Sequence, residues 1–209
     1  MSIDLHTQEL LPLPYHQAML QYIQTREHAL WDWFASTRVL EDRTDSARLD
    51  LLKSTYRIDR ETNPSVYEQA DKALAALGLN SPVTLYQSQN TTGANAALVY
   101  IPGEIHIVLI GPIIELLSEN ELLALLGHEM THFLLNEKWD GHLRVIAEIL
   151  AAMTHDPAAA EVHIASARLF DLYGEILCDR GGKFGYRGQY GLSIPDLNLL
   201  MAIDTLVFC

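Results

Sequence analysis

An apolar run from Leu122 to Leu135 contains three ionisable side chains, and this combination constrains the fold more than any other feature of the sequence. The run has the length of a helix and is rich in leucine, so we expect it to lie in a protein core. His128, Glu129 and His132 fall inside it. Burial of an ionised carboxylate is costly unless the group is paired or neutralised. The fold must therefore supply partners for these side chains, and a metal ion is one such partner.

Residues 128–132 have the sequence His-Glu-Met-Thr-His, which matches the pattern His-Glu-x-x-His of zinc metallopeptidases. Residues four apart lie one turn apart on one helical face, so the imidazoles of His128 and His132 can bind one cation. Glu129, one step round the helix, can then activate a zinc-bound water for attack on a peptide bond. The pattern predicts Zn²⁺ as cofactor, Glu129 as catalytic base and a peptide or protein as substrate.

A catalytic zinc site takes three protein ligands, so a third ligand is expected downstream of the motif. No Gly and His follow His132 at the close spacing found in metzincins. Glu175 and Asp179 occupy adjacent turns of one face of a predicted helix. We expect Glu175 to bind the metal and Asp179 to accept the second ring N–H of a ligand histidine. The alternative is an ordinary polar face of a surface helix.

The segment from Arg180 to Gly191 is rich in glycine and also contains aromatic and cationic residues. The pair Gly181-Gly182 predicts the end of the preceding helix, so the segment is expected to be a loop. Tyr186 or Arg187 in it is predicted to stabilise the oxyanion that develops during hydrolysis. The alternative is a plain connector whose cations offset nearby acidic groups.

The patterning predicts an α+β fold that is predominantly helical, with a small mixed sheet, the motif helix and a glutamate-ligand helix. Residues 1–60 are predicted to form a helical extension packed on a catalytic domain of residues 61–209. Helices are expected over about 15–37, 45–56, 64–77, 118–135, 142–153 and 158–180, and strands over 83–86, 97–100 and 104–110. Ser118 and Glu121 have the spacing of a capping box, Pro102-Gly103 predicts a turn, and Asp156-Pro157 predicts a break between two helices. The last strand is expected either to present an edge to which an extended peptide adds or to be internal.

The sequence resembles the gluzincin metallopeptidases related to the HtpX heat-shock protease and the CAAX prenyl protease over about residues 64–182. Those proteins combine His-Glu-x-x-His with a downstream Glu-x-x-x-Asp. The resemblance implies a zincin-like (thermolysin-like) catalytic domain. In it His128, His132 and Glu175 are expected as metal ligands, Glu129 as the base and Asp179 as the partner of a ligand histidine. Thr131 stands where the family usually has a very small residue, and Cys178 stands where alanine is common. The chain also lacks the family's transmembrane helices, and no His-Pro pair follows Glu175.

Charge and composition exclude several other classes of partner. The formal net charge of −13 and the absence of a basic stripe argue against nucleic acid. Two cysteines are too few for a disulfide scaffold, and no stretch is apolar enough for a signal peptide or a membrane segment. A cytoplasmic protein is expected, with its oligomeric state open. The apolar segment 199–209 requires burial or a longer natural chain.

Two other functions are compatible with the same residues. The first is a zinc-binding but proteolytically silent or latent module that acts in protein–protein interaction. The second is a helical scaffold with a fortuitous motif, which would bind no metal. Glu129 favours the enzyme, because a purely structural zinc site does not need that carboxylate.

Overall fold

The computed structural model describes residues 10–90, 92–155 and 160–190. Within these residues the protein is predominantly helical with a small mixed four-stranded sheet, as the sequence predicts. Its contacts define two compact units, one of Met1–Asp45 with Leu134–Leu177 and one of Ser46–Phe133 with Cys178–Cys209. The proposed boundary at residue 60 between a helical extension and a catalytic domain stays a prediction.

Helices and strands alternate only in the middle of the chain. In chain order they are α1 (Pro14–Arg26), α2 (His28–Phe34), α3 (Thr37–Ser54), β1 (Thr55–Arg57), α4 (Pro64–Leu77), β2 (Val83–Ser88), β3 (Asn95–Ile101), β4 (Glu104–Ile110), α5 (Ile113–Leu116), α6 (Glu119–Glu137), a 3₁₀ turn (Lys138–Gly141), α7 (His142–Thr154) and α8 (Glu161–Tyr190).

The regular elements of the first unit, in the part of it that the structure describes, are all helices. One helix is predicted over 15–37, but α1 and α2 are separate because the backbone leaves helical geometry at Glu27, with φ −117° and ψ 35°. The imidazole of His16 accepts the backbone N–H of Leu13 at 3.2 Å and so satisfies a donor at the start of α1. The ring of His16 also lies edge-on to Phe170 of α8, with the ring centroids 4.9 Å apart. These contacts attach α1 to α8 within this unit.

The second unit contains the sheet, whose strand order is β1-β2-β4-β3. The strands β3 and β4 form an antiparallel hairpin at the predicted Pro102-Gly103 turn, where Gly103 has φ 74°. The strand β4 has the predicted bounds and lies between β2, to which it is parallel, and β3. Of the two alternatives for β4, the internal position is therefore the one observed, because both its sides are paired. Among the described residues, β3 forms that edge of the sheet.

Both faces of β4 are covered, which explains why it is apolar almost throughout. Ile105, Ile107 and Leu109 point into the main core, which also contains buried side chains of α4 and α6. Val108 faces the other side and packs with Leu51 of α3. Because side chains alternate between the two faces along β4, α6 packs on one face of the sheet and α3 packs on the other.

The start of α6 has the predicted capping box. The carboxylate of Glu121 accepts the backbone N–H of Ser118 at 2.7 Å, and the hydroxyl of Ser118 accepts the backbone N–H of Glu121 at 3.4 Å. The hydrogen bonds from the Ser118 side chain and backbone lower the pKa of Glu121 below its ordinary value of 4.5. The first turn of α6 is therefore held by a reciprocal pair of contacts.

The predicted end of α8 at Gly181-Gly182 is wrong, because the helix continues to Tyr190. The segment predicted as a loop is thus the last part of α8, and the side chains of Tyr186 and Arg187 lie outside the described part of the structure. The predicted break at Asp156-Pro157 and the apolar segment 199–209 also fall outside it. Among the described residues, no helix combines the length and the apolarity needed to cross a bilayer.

Candidate metal centre

The helix α6 directs its apolar and its polar side chains to different sides. Leu123, Leu126, Met130 and Phe133 recur at helical spacing and lie in the core against the sheet. His128 and His132 are one turn apart on another face, and their ring centroids are 5.0 Å apart with an angle of 70° between the ring planes. The helix therefore brings the two imidazoles together, as the spacing of the motif predicts.

A third donor comes from α8. One ligand atom from each of His128, His132 and Cys178 lies within 4.8 Å of the other two. Cys178 is fully buried. In the sequence, Cys178 stands out only as a replacement for alanine, and its position beside the histidines is not predicted. Its spacing of three residues from Glu175, which puts both on one face of a helix, is the signal that could have indicated it.

Asp179 lies next to Cys178 and contacts the first histidine. Its Oδ1 is 3.1 Å from Nδ1 of His128. Because a carboxylate accepts hydrogen bonds, this contact requires the proton on Nδ1 and leaves the lone pair on Nε2. The contact thus fixes the orientation of the His128 ring, and the role expected of Asp179 beside a bound metal stays a prediction.

Glycines allow α6 and α8 to approach each other closely enough for these contacts. A Cβ atom on Gly181 would lie 1.7 Å from Oγ1 of Thr131, and one on Gly182 would lie 2.8 Å from the carbonyl oxygen of Ala124. A Cβ atom on Gly127 would lie 3.2 Å from Cα of Gly182. Gly181 and Gly182 are therefore interior positions of a helix that packs tightly on α6. This packing is why they do not end α8.

Glu129 is buried next to the edge strand β3. Only 7% of its surface is exposed, and its Oε2 accepts the backbone N–H of Leu98 at 2.9 Å. Because Leu98 lies on β3, this N–H points away from β4 and towards α6. The carboxylate is thus fixed by a main-chain donor. The sequence does not predict this contact, because a backbone N–H is common to almost every residue and leaves no pattern.

The comparisons with known proteins place this arrangement in a family. The sequence model of peptidase family M48 matches residues 60–172, more than half of the 209 residues. The chain belongs to peptidase family M48. This confirms the resemblance to the HtpX and CAAX protease type of zinc metallopeptidase. A search of curated proteins and a search of solved structures found no significant match.

The M48 match contains His128, Glu129 and His132 but ends before Glu175. Glu175 lies on α8 between Asp171 and Asp179, four residues from each. Burial raises the pKa of the Asp171 carboxyl, and the negative charge of Glu175 adds to this effect. The three carboxylates follow one face of the helix, and like charges at this spacing destabilise a helix unless a cation offsets them.

The donor atoms of this M48 protein fit zinc. Imidazole nitrogen and cysteine sulfur are the donors that Zn²⁺ takes in proteins, whereas Mg²⁺ and Ca²⁺ take oxygen. His128 and His132 supply the nitrogens, Cys178 supplies a sulfur, and Asp179 supplies the carboxylate that orients His128. The residues next to α6 can therefore hold the metal on which the family depends.

Proposed function

We propose that this M48 peptidase is a zinc-dependent endopeptidase with a zincin-like catalytic domain. His128, His132 and Glu175 hold the metal, Glu129 is the general base, and Asp179 orients His128. One observation carries the proposal: the buried carboxylate of Glu129 adjoins two converging imidazoles, one of which is fixed by Asp179. This combination has the base, the ligands and the orienting group that metal-assisted hydrolysis requires.

Zinc in such a site polarises the scissile carbonyl and makes a water molecule more acidic. Glu129 takes one proton from the attacking water as the carbon–oxygen bond forms. It then gives that proton to the nitrogen of the leaving amine as the carbon–nitrogen bond breaks. One water is consumed, and one carboxyl group and one amine are released. The hydrogen bond from Leu98 keeps the carboxylate in one orientation during both transfers.

The edge strand β3 offers a main-chain binding surface beside Glu129. An extended peptide that adds to a sheet edge is held by its backbone and so is bound with little regard to its side chains. Leu98 is central in β3 and contacts Glu129 directly. A substrate that lies along β3 would therefore bring a peptide bond from the middle of its chain next to Glu129. This is the binding mode expected of an endopeptidase. We therefore assign the binding of an extended peptide to β3 and not to β4, because β4 is internal in the sheet.

Tyr186 or Arg187 is proposed to stabilise the oxyanion. Both follow Asp179 by about two helical turns on α8, so their Cα atoms lie on the order of 10 Å further along the helix axis. Long side chains can span much of that distance. Both residues are thus proposed to act from a helix and not from the loop that the sequence predicts, since α8 contains that segment.

Hydrolysis of an unfolded protein by the zinc-loaded chain tests the function. We expect internal cleavage in the wild type and a fall of about 10²–10⁴-fold in kcat for Glu129→Gln, which keeps the size of the side chain but removes the base. Glu119→Gln is the matched control, because it makes the same change at an exposed position of the same helix and should leave kcat unchanged. Mass spectrometry of the fragments separates internal cleavage from removal of terminal residues.

Two results would contradict the proposal. Equal activity of the Glu129→Gln variant and the wild type would exclude Glu129 as the base. A wild type that binds one zinc ion but cleaves no peptide would support the silent or latent zinc module instead.

A further inference from the structure

Cys178 is the side chain near the metal centre that the proposed mechanism does not use. It is fully buried, and its sulfur belongs to the group of three donor atoms within 4.8 Å of one another. The other two donors are ring nitrogens of His128 and His132, the proposed zinc ligands. Their positions make Cys178 a neighbour of the metal and not only of the protein core.

The position of Cys178 follows from the packing of α8 on α6. Gly181 and Gly182 follow Cys178 by three and four residues, so all three share the helical face that meets α6. The two glycines contribute no side-chain atoms between the helix backbones at that point, where the side chain of Thr131 lies against Gly181. One turn earlier, the sulfur of Cys178 therefore reaches the level of the histidines. Asp179, the next residue, contacts His128 from the same turn.

A buried cysteine often serves only as a small apolar residue. That role suits surroundings of aliphatic side chains, whereas Cys178 adjoins two imidazoles. A thiolate next to two imidazoles is a familiar zinc donor set, with Zn–S near 2.3 Å and Zn–N near 2.0–2.1 Å. Ligand atoms of such a tetrahedral site are about 3.4–3.6 Å apart. In the structure the three donor atoms lie within 4.8 Å of one another. Rotation of the side chains can bring them from there to the separation of a tetrahedral site.

We propose that the sulfur of Cys178 is a ligand of the zinc ion held by His128 and His132. The proposal rests on the metal site of the proposed function and adds to it a donor that the His-Glu-x-x-His and Glu-x-x-x-Asp patterns do not include. A soft sulfur donor makes the site selective for zinc over the hard cations Mg²⁺ and Mn²⁺. It also competes with water for the position that catalysis leaves open, so it restrains hydrolysis.

X-ray absorption spectroscopy of the zinc-loaded full chain tests this directly. We expect one sulfur neighbour at about 2.3 Å from zinc in the wild type and its loss in Cys178→Ser, which keeps the size of the side chain. Cys209→Ser is the matched control, because Cys178 and Cys209 are the two cysteines of the sequence, and it should retain the sulfur neighbour. With cobalt(II) in place of zinc, the thiolate-to-metal absorption in the near ultraviolet should follow the same pattern.

A wild-type spectrum with only nitrogen and oxygen neighbours would overturn the proposal, even if Cys178→Ser does not fold. If such a protein still shows hydrolysis that depends on Glu129, the proposed function stands and only the role of Cys178 fails. A sulfur neighbour without hydrolysis, in both the wild type and Cys178→Ser, supports the sulfur ligand and removes the proposed function. A chain that binds no zinc would overturn both.

Discussion

A single carboxylate on α8 sets the orientation of a histidine 51 positions earlier in the sequence. Asp179 accepts the Nδ1 proton of His128, so a metal bound in the proposed site would meet Nε2 of a ring that is already oriented. About a quarter of the Asp179 side chain is exposed and 14% of that of His128, so water screens this contact only in part. The effect of Asp179 should therefore appear mainly in the affinity for zinc.

We expect Asp179→Asn to weaken zinc binding by about 10–100-fold, because the amide keeps the shape of the side chain but loses its charge. Competition with a chelator of known affinity measures the change. Asp50→Asn is the control, since it makes the same change at an exposed position of α3. Equal zinc affinity of Asp179→Asn and the wild type would show that the contact with His128 does not support metal binding.

At the level of the helices, the glycines of α8 differ in what surrounds them. A Cβ atom on Gly174 would meet nothing within 4 Å, whereas one on Gly181 would lie 1.7 Å from Oγ1 and 2.7 Å from Cβ of Thr131. Thr131 is itself held in place, because its hydroxyl donates to the carbonyl of Gly127 at 2.7 Å. The same substitution at these two glycines should therefore have opposite effects.

Gly174→Ala should raise the free energy of unfolding by about 0.5–1 kcal/mol, because alanine is the better residue in an open helical position. Gly181→Ala should lower it by about 1–3 kcal/mol, because α6 and α8 must separate to admit the methyl group. Urea denaturation of both variants measures the difference. A neutral or stabilising Gly181→Ala would show that the two helices are not in close contact at this point.

The start of α6 gives a stability effect that depends on pH. The pKa of Glu121 is lowered in the folded chain, so its contribution is complete above 4.5 and is lost as the pH falls through the lowered value. We expect Ser118→Ala to cost about 1 kcal/mol at pH 7. Urea denaturation at several pH values should show this cost shrinking below pH 4.5. A cost that is the same at pH 3 and pH 7 would contradict a role for the Glu121 charge.

For the molecule as a whole, zinc should be a large contributor to stability. A ligand that binds only the folded chain raises the free energy of unfolding by about 2.7 kcal/mol at a hundred times its Kd. Thermal unfolding in zinc and in a chelator should therefore give a higher midpoint with zinc. His132→Ala should unfold at one midpoint in both conditions. Equal midpoints for the wild type would show that folding and metal binding are not coupled.

Local signals in the sequence predict a large part of this structure. The capping box at Ser118, the Pro102-Gly103 turn and the bounds of β4 depend on neighbouring residues, and all three agree with the structure. The same holds for the pairing of His128 with His132, since one helical turn brings them together. The site residues that depend on other elements, Glu175 above all, stay predictions.

The features that the sequence does not predict depend on contacts between distant segments. The order β1-β2-β4-β3 is set by pairing across the sheet, so the internal position of β4 has no local signal. The strand β1 has only three residues and follows α3 directly, which leaves it too short for a periodic pattern. In the sequence, Gly181 and Gly182 look like the end of a helix. Glycine lacks a side chain, and this property suits both a turn that ends a helix and a close contact between two helices, so the sequence does not distinguish them.

The fit between Thr131 and Gly181 also limits the order in which the two positions can change during evolution. Threonine at 131 is compatible with glycine at 181 but leaves no room for any other residue there. A lineage that acquires a threonine on the motif helix must therefore already have a glycine on the opposing helix. We expect the two positions to vary together among relatives, with a larger residue at 181 only where 131 is smaller than threonine. The residue at position 131 thus limits which residues position 181 can have.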